Sequence, residues 1–330
     1  MAKVVKSRVE YIDAVAGVMI AWMILGHCRY FSNTTLPFFK FLGFYMPWFF
    51  YKSGMFFTTK SSMNLLKNDA RKLLRYYVVY SIAGWIIWCA CGLIEGSLSW
   101  SGCFMRPIYA FIHHGSISGN GALWFLFSLF IVRQLANLMT EKCPPPILAA
   151  VCFLTAYFLY SIGWYKYCWW FGNVFSGLCF FLLGYWLKEK ENNRWIFATS
   201  TLFLVLIICA YSFKWIDDFP YLYMHANRMY NGNYLLFYPT ALAGIIMTNN
   251  FFNFLYRRWS FRLLEYIGVN AMTLYTTHWI LLVVVLFVAT FIFEIKEPVR
   301  LFEILLIACV IFLPLITEIV NYTYNKQSKA

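Results

Sequence analysis

Long apolar runs recur from one end of this chain to the other, and they constrain its fold more than any other feature. The 330 residues are 62% hydrophobic and 22% aromatic, and only 12% are charged. A helix needs about 20 apolar residues to cross a hydrocarbon core about 30 Å thick. A scan at that length predicts ten spans: 11–31, 39–57, 74–95, 119–139, 147–163, 169–187, 195–213, 232–249, 268–293 and 301–323. The sequence therefore predicts a polytopic membrane protein.

The same runs indicate the class of secondary structure. Each run is continuous, whereas the strands of a membrane barrel alternate apolar and polar residues. The predicted fold is all-α, a bundle of about ten transmembrane helices in a single integral-membrane domain over residues 1–330. The first run follows a basic start, as a signal peptide would, but it contains Asp13 and His27 and lacks a clear cleavage site. We expect it to be retained as a helix.

The lysines and arginines test this topology, because cytosolic loops carry an excess of them. With both termini in the cytosol, 18 of the 27 lie in inner segments and eight lie in outer segments. The remaining one, Lys52, lies within the second span. The bias supports ten helices with the N and C termini in the cytosol. The basic inner segment 58–73 is predicted to be an interfacial helix, and the longest outer segments are 96–118 and 214–231.

The net charge of +13 follows from the same distribution and indicates attraction to anionic lipid of the inner leaflet. No module that combines basic and aromatic residues for nucleic-acid binding is visible. The ten cysteines are scattered, without the paired spacing of a metal site. Cys89 and Cys91 lie in an apolar run and are interpreted as packing residues. We expect neither a metal nor a nucleic-acid partner.

His27 lies deep inside the first apolar run. Ionisable residues are costly at membrane depth and mark functional sites, and histidine exchanges a proton near neutral pH. His27 is therefore the candidate catalytic base, with a buried histidine that bonds to a neighbouring helix as the alternative. Asp13 lies nearly four turns earlier on the same helix face, about 21 Å away. It is a second candidate for the catalytic site, and a structural or electrostatic role is favoured for it.

Four stretches carry a resemblance to a known family. They are 8–27, which ends in Leu-Gly-His; 46–57, with Pro-Trp-Phe-Phe and Ser-Gly; 123–126, Leu-Trp-Phe-Leu; and 267–278, which ends in Tyr-Thr-Thr-His. In this order, and with this topology, they resemble the acyltransferase-3 family of integral-membrane O-acyltransferases, of the polysaccharide O-acetylase type. The resemblance runs from residue 8 to about residue 280.

The resemblance implies a reaction, the transfer of an acyl group from cytosolic acyl-CoA to a hydroxyl of a cell-surface or capsular glycan or its lipid-linked precursor. His27 matches the family's catalytic histidine, which would take the acceptor proton or relay the acyl group. Acetyl-CoA is then the expected co-substrate, and the glycan and membrane lipid are the expected partners. The expected location is the bacterial inner (cytoplasmic) membrane, which the chain would cross several times.

One position departs from the family pattern. The family commonly has an arginine or lysine eleven residues before the catalytic histidine, and here that position is Ala16. Both Ala16 and Lys52 are predicted about six residues from the cytosolic ends of their helices, at a depth of about 9 Å. We therefore hypothesise that Lys52 replaces the missing cation in donor binding. A lysine that snorkels to the inner headgroups is the alternative.

Further candidates for substrate binding come from the motifs and from the outer segments. They are Ser53, Trp124, Tyr275, His278 and Arg228. His278 is predicted near mid-membrane, where it either lines the acyl path or hydrogen-bonds across helices. Trp124 is alternatively a packing or interface aromatic. The outer segments add three histidines as glycan contacts, on side and loop length alone: His113, His114 and His225.

Two other functions stay open at this point. A polytopic transporter or glycan-export protein would use His27 and His278 in a substrate or proton path, although the chain shows no internal repeat and no matching pair of broken helices. A catalytically inactive relative could act as an assembly partner, which the loss of the cation at Ala16 allows. Consumption of acyl-CoA separates an enzyme from both.

Overall fold

The computed structural model describes residues 9–27, 43–191, 193–217, 219–229 and 233–297, and parts of 300–308. Within them, twelve α-helices follow in order: α1 Glu10–His27, α2 Tyr45–Met55, α3 Ser62–Asp69, α4 Arg75–Ile94, α5 Trp100–His114, α6 Trp124–Met139, α7 Pro145–Ser161, α8 Trp169–Leu187, α9 Arg194–Ser212, α10 Tyr234–Leu255, α11 Arg262–Val269 and α12 Ala271–Phe287. A small antiparallel hairpin, β1 Leu222–Tyr223 and β2 Arg228–Met229, lies between α9 and α10. The predicted all-α class therefore holds for the described chain apart from this hairpin.

Seven helical stretches are long and apolar enough to cross a membrane, by length and composition: Glu10–His27, Ser62–Ile94, Gly121–Met139, Trp169–Leu187, Arg194–Ser212, Tyr234–Leu255 and Ala271–Ile292. Pro145–Ser161 is a shorter apolar helix. The chain is thus a multi-pass membrane protein, built as a helical bundle. Most of the predicted span 301–323 lies outside the described residues, so ten spans and cytosolic termini stay predictions.

Two segments predicted to lie outside the spans contain helices in the structure. The outer segment 96–118 contains α5, which begins with the Ser99 side chain accepting a hydrogen bond from the Gly102 amide and ends at Gly115 in the left-handed region. The inner segment 58–73 is not a separate interfacial helix, because α3 continues through a π-helical turn at Ala70–Leu74 directly into α4. Asp69, near this turn, accepts a hydrogen bond from Arg133 of α6 at 2.8 Å.

Three span boundaries also differ from the prediction. The described part of 39–57 contains the 11-residue α2, and Pro47 lies in its first turn, where a missing amide costs no helical hydrogen bond. The span 268–293 is divided at Asn270, which ends α11 and begins α12. The span 232–249 continues to Leu255 as α10.

Glycines allow the helices that carry the candidate residues to touch through their backbones. A Cβ atom at Gly268 of α11 would overlap the carbonyl oxygen of Asp13 on α1, and one at Gly54 of α2 would overlap that of Phe181 on α8. Small residues permit such close crossings between membrane helices. The α1–α11 and α2–α8 contacts therefore hold Asp13 and the Ser-Gly end of α2 in fixed positions within the core.

Candidate active site

The first and last motifs meet in the structure. α1 ends at His27, and its imidazole stacks on that of His278 from α12 with ring centroids 5.3 Å apart and planes inclined by 26°. Trp279 meets His27 edge-on, with centroids 5.0 Å apart at 83°. Two histidines about 250 residues apart in sequence, each named from a separate motif, are thus brought into ring contact.

The surroundings of His278 fix its tautomer. The side chain is fully buried, and Nδ1 lies 2.8 Å from the carbonyl oxygen of Tyr275 and 3.1 Å from that of Leu274. A carbonyl can only accept, so Nδ1 carries the proton and the neutral ring presents a lone pair at Nε2. Nε2 is buried and has no hydrogen-bond partner among the described residues. A polar atom in that condition is costly unless a further group reaches it.

A cavity of about 340 Å³ begins at His27. We call it the outer cavity because this end of α1 is predicted to face outward, and we call the cavity toward the other end of α1 the inner cavity. Its wall is rich in rings, which are His27, Tyr45, His114, Trp124, Trp169, Tyr221, Tyr223, His225, Tyr275 and Trp279. His27 is half-buried, so its ring is open to this space, whereas His278 packs behind it and does not line it. A concave site with aromatic walls and a few polar groups is the usual form of a small-molecule site.

An inner cavity of about 200 Å³ lies toward the opposite end of α1. Lys52 and Ser53 of α2 line it together with Ile20, Phe49, Phe125, Leu129, Gly268, Ala271, Met272 and Tyr275. Lys52 Nζ lies 3.7 Å from Asp13 Oδ1 and 5.3 Å from the centre of the Trp48 ring. Lys52 thus stands beside α1 between Asp13 and Ile20, the stretch that contains Ala16.

The two cavities follow each other along the same helix faces. On α12, Ala271 lines the inner cavity, Tyr275 lines both, and Trp279 lines the outer one. Residues four apart share one face of a helix, so this face runs past both cavities in turn. On α1, Ile20 and His27 likewise line the inner and the outer cavity.

Tyr275 forms the shared wall. Its side chain is buried, its hydroxyl donates to the carbonyl oxygen of Ala122, and its ring packs edge-on against Phe125 at 5.5 Å. Both the hydroxyl and the ring are therefore held by residues at the start of α6. The Trp-Phe motif contributes to both sides of this wall, since Trp124 lines the outer cavity and Phe125 the inner one.

Some of the remaining predicted residues line the His27 cavity and others lie away from it. Arg228 lies on β2 with its guanidinium 5.9 Å from the Tyr165 ring centre, and it does not line the His27 cavity. Asp13 pairs with Lys52 and also does not line that cavity. Of the three outer histidines, His114 and His225 line the cavity and His113 does not. The structure brings His27, Trp124 and Tyr275 together with His278 behind His27, and it places Lys52, Ser53 and Asp13 at the other end of α1.

Sequence reasoning missed five aromatic residues of the outer cavity, which are Tyr45, Trp169, Tyr221, Tyr223 and Trp279. Trp279 could have been found, because it lies four residues after Tyr275 and so on the same face of one helix. Trp169 and Tyr223 carry no such signal, since they reach the cavity from α8 and the hairpin. Within the described parts of the chain, no group of three or more His, Cys, Asp or Glu residues could hold a metal ion.

Comparison with known proteins adds one finding to this geometry. The sequence profile of a family described as an acyltransferase domain matches residues 9–319, which extends about forty residues beyond the last motif. Neither a curated protein nor a solved structure matches the chain. The matched region contains both cavities and every candidate site residue. The chain belongs to the acyltransferase-3 family.

Proposed function

We propose that this membrane acyltransferase moves an acyl group, acetyl by preference, from acyl-CoA to a hydroxyl of a cell-surface or capsular glycan or its lipid-linked precursor. One observation carries the proposal. The same faces of α1 and α12 pass an inner cavity with a cation and then an outer cavity with a histidine, and Tyr275 borders both. A donor and an acceptor that approach from opposite sides of a membrane need such an arrangement.

The inner cavity suits the donor. Lys52 supplies positive charge within a wall that is otherwise mostly apolar, and Ser53 supplies a hydroxyl. Lys52 lies beside the stretch of α1 that contains Ala16, so it is placed to act for the cation that the family commonly has there. A lysine binds phosphate as a point charge, and Asp13 holds this one in position at 3.7 Å. In this role Asp13 is a positioning residue.

The outer cavity suits the reaction. His27 takes the proton from the acceptor hydroxyl as its oxygen attacks the carbonyl carbon of the thioester. The C–O bond forms, the C–S bond breaks, and the proton passes from His27 to the departing thiolate of CoA. His278 is fixed behind His27 by its two carbonyl contacts and holds that ring in place, which makes it a positioning residue.

The distance between the two ends of α1 sets the length that the donor must have. α1 is unbroken from Asp13 to His27, so the two lie about 21 Å apart along it. A donor whose charged end rests at Lys52 must therefore extend a narrow arm past Tyr275 to bring its acyl carbon to His27. Acyl-CoA has this form, with phosphates at one end and a long pantetheine arm that ends in the thioester.

Glycan mass in cells tests the proposal. Four strains are compared at equal expression: the intact protein, a deletion, His27→Ala and the control His113→Ala, which changes a histidine outside the cavity. The proposal predicts that the glycan loses its acyl mass in the deletion and in His27→Ala, and keeps it in His113→Ala. Loss in the deletion alone would remove His27 from catalysis. A glycan unchanged in all strains would favour a transporter or an inactive assembly partner.

A further inference from the structure

We infer that His225 binds a hydroxyl of a neutral sugar ring in the outer cavity and so selects which acceptor hydroxyl reaches His27. This rests on the proposed function, because it names the part of the acceptor that the same cavity holds. The inference uses residues that the acyl-transfer step itself does not need.

His225 is firmly placed at the cavity wall. It lies in the short helical turn Met224–Ala226 between β1 and β2, and its carbonyl oxygen accepts a hydrogen bond from Asn173 Nδ2 at 2.7 Å. Its Nδ1 lies 3.3 Å from the Tyr223 hydroxyl. Its ring meets Trp169 edge-on, with centroids 4.7 Å apart at 85°. The backbone and the ring of this histidine are therefore held by neighbours.

One atom of this histidine has no bonding partner. Nε2 is buried and has no hydrogen-bond partner within the described ranges, although the residue lines the cavity. Burial, with smaller effects from His114 and His27, lowers the pKa of His225 to about 3, so the ring is neutral at physiological pH. A neutral imidazole has one donor and one acceptor nitrogen, and a hydroxyl can serve either of them. A ligand hydroxyl would therefore satisfy Nε2 in either tautomer.

The rest of the wall defines the ligand's chemistry. No lysine, arginine, aspartate or glutamate of the described chain lines this cavity, so a phosphate or carboxylate would find no counter-charge there. Trp124, Trp169 and Trp279 instead present indole surface, and His114 stacks on Trp169 at 3.9 Å. Indoles combine apolar area with polar edges. A ligand with hydroxyls on its rim and C–H groups on its face, which is a neutral sugar ring, matches both features.

The test compares two replacements of His225 with a control. His225→Phe keeps the ring and removes both nitrogens, whereas His225→Gln keeps a hydrogen-bonding group. His113→Phe makes the same change at a histidine outside the cavity. The full chain is expressed in cells, the acyl group is located on the isolated glycan by mass spectrometry and NMR, and binding of coenzyme A to the solubilised protein is followed by its thermal shift.

The expected result is selective. His225→Phe should lower acyl content about 10- to 100-fold or spread the acyl group over more than one hydroxyl, the range expected when a buried polar partner is lost. His225→Gln should retain most transfer at the original hydroxyl, and coenzyme A should shift all variants equally. Transfer by His225→Phe at the original rate and position would overturn the inference. A loss of coenzyme A binding in His225→Phe as large as its loss of transfer would also overturn it. If His27→Ala transfers normally in parallel, the proposed function has failed as well.

Discussion

The outer and inner cavities share Tyr275 and differ in nearly every other respect. The outer cavity is lined by histidines and tryptophans drawn from α1, α5, α6, α8, α12 and the hairpin. The inner cavity is smaller, about 200 Å³ against about 340 Å³, and its polar groups are Lys52 and Ser53. One end of the bundle therefore offers neutral hydrogen-bonding rings and the other offers a positive charge.

This difference supports the binding of a different substrate in each cavity. Under the proposed function, an anion binds the cation at the inner end and a hydroxylated ring binds neutral groups at the outer end, so neither substrate fits the other's site. His27 lies where the long arm of one would meet the hydroxyl of the other. Transfer then depends on a passage past Tyr275 that admits the donor arm but keeps the two binding sites distinct, and the predictions run from the largest expected effect to the smallest.

Removal of the shared wall has the largest expected effect. Tyr275→Ala takes out a buried aromatic ring and should reduce the free energy of unfolding by about 3–5 kcal/mol. It should also widen the passage between the cavities and admit water, so that acyl-CoA is hydrolysed instead of transferred. Tyr275→Phe keeps the ring and loses the bond to Ala122, at a cost of about 1 kcal/mol. Unfolding in detergent measures the loss of stability, and the ratio of hydrolysis to transfer measures the entry of water. An unchanged ratio in Tyr275→Ala would contradict the role of Tyr275 as the shared wall.

The stability contributed by residues that support Lys52 should depend on pH, whereas the His225 contacts in the outer cavity should not. Burial raises the pKa of Glu191, in the loop after α8, to about 7, although Asn249 donates a hydrogen bond to it at 2.6 Å. Asn249 in turn accepts from Trp48, whose ring Lys52 overlies. The pKa of Glu191 in the folded state lies above the unfolded value of 4.5. At pH values between the two, the folded state therefore binds more protons than the unfolded state.

Stability should therefore fall as the pH rises from about 4.5 to about 7, by about 3 kcal/mol in total, and stay level above that. Glu191→Gln keeps the acceptor oxygen for Asn249 and cannot ionise, so it should remove this loss. Thermal unfolding of the solubilised chain at pH 5 and pH 8 measures it. If the variant loses as much stability as the parent, Glu191 is not the titrating group. Ligand contacts at His225 should not change over the same range, because its pKa lies near 3.

Lys52 tests the inner cavity alone. Lys52→Ala should raise the KM for acyl-CoA about 10- to 100-fold, because a charge-assisted contact with phosphate is lost, and should leave the acylated hydroxyl unchanged. Lys52→Arg keeps the charge and should stay within a few-fold of the parent. Initial rates in membrane vesicles at varied acyl-CoA provide the measurement. An unchanged KM in Lys52→Ala would mean that the lysine only snorkels to the headgroups.

His278 has the smallest expected effect, since it acts through His27. His278→Asn keeps a donor for the carbonyl oxygens of Leu274 and Tyr275 but removes Nε2, and His278→Gln keeps a polar group near Nε2. We expect about a tenfold lower kcat with an unchanged KM in the first variant and a smaller loss in the second. Equal losses, or a change in KM alone, would argue against positioning of His27.

The sequence predicted those features that depend on a single helix. The run 169–187 became α8 with the same bounds, because its apolar stretch ends abruptly at Lys188. The equal depth of Ala16 and Lys52 stays a prediction, and the structure adds that Lys52 lies 3.7 Å from Asp13 on the same helix as Ala16. The scan for apolar spans did not find α5, because this helix is amphipathic and only 15 residues long. The sequence could not predict the complete outer cavity, because Trp169 and Tyr223 reach it through tertiary packing.

The most direct test of the account measures coenzyme A affinity and acyl transfer together in His27→Ala. Titration calorimetry on the solubilised full chain gives the Kd, and vesicles supplied with labelled acetyl-CoA give the transfer rate. The account predicts a Kd within about twofold of the parent and a transfer rate reduced at least about 100-fold, because a general base contributes to the transition state and the donor is held at the other end of α1. A parental transfer rate, or loss of coenzyme A binding together with transfer, would contradict the division between an inner donor site and an outer catalytic histidine.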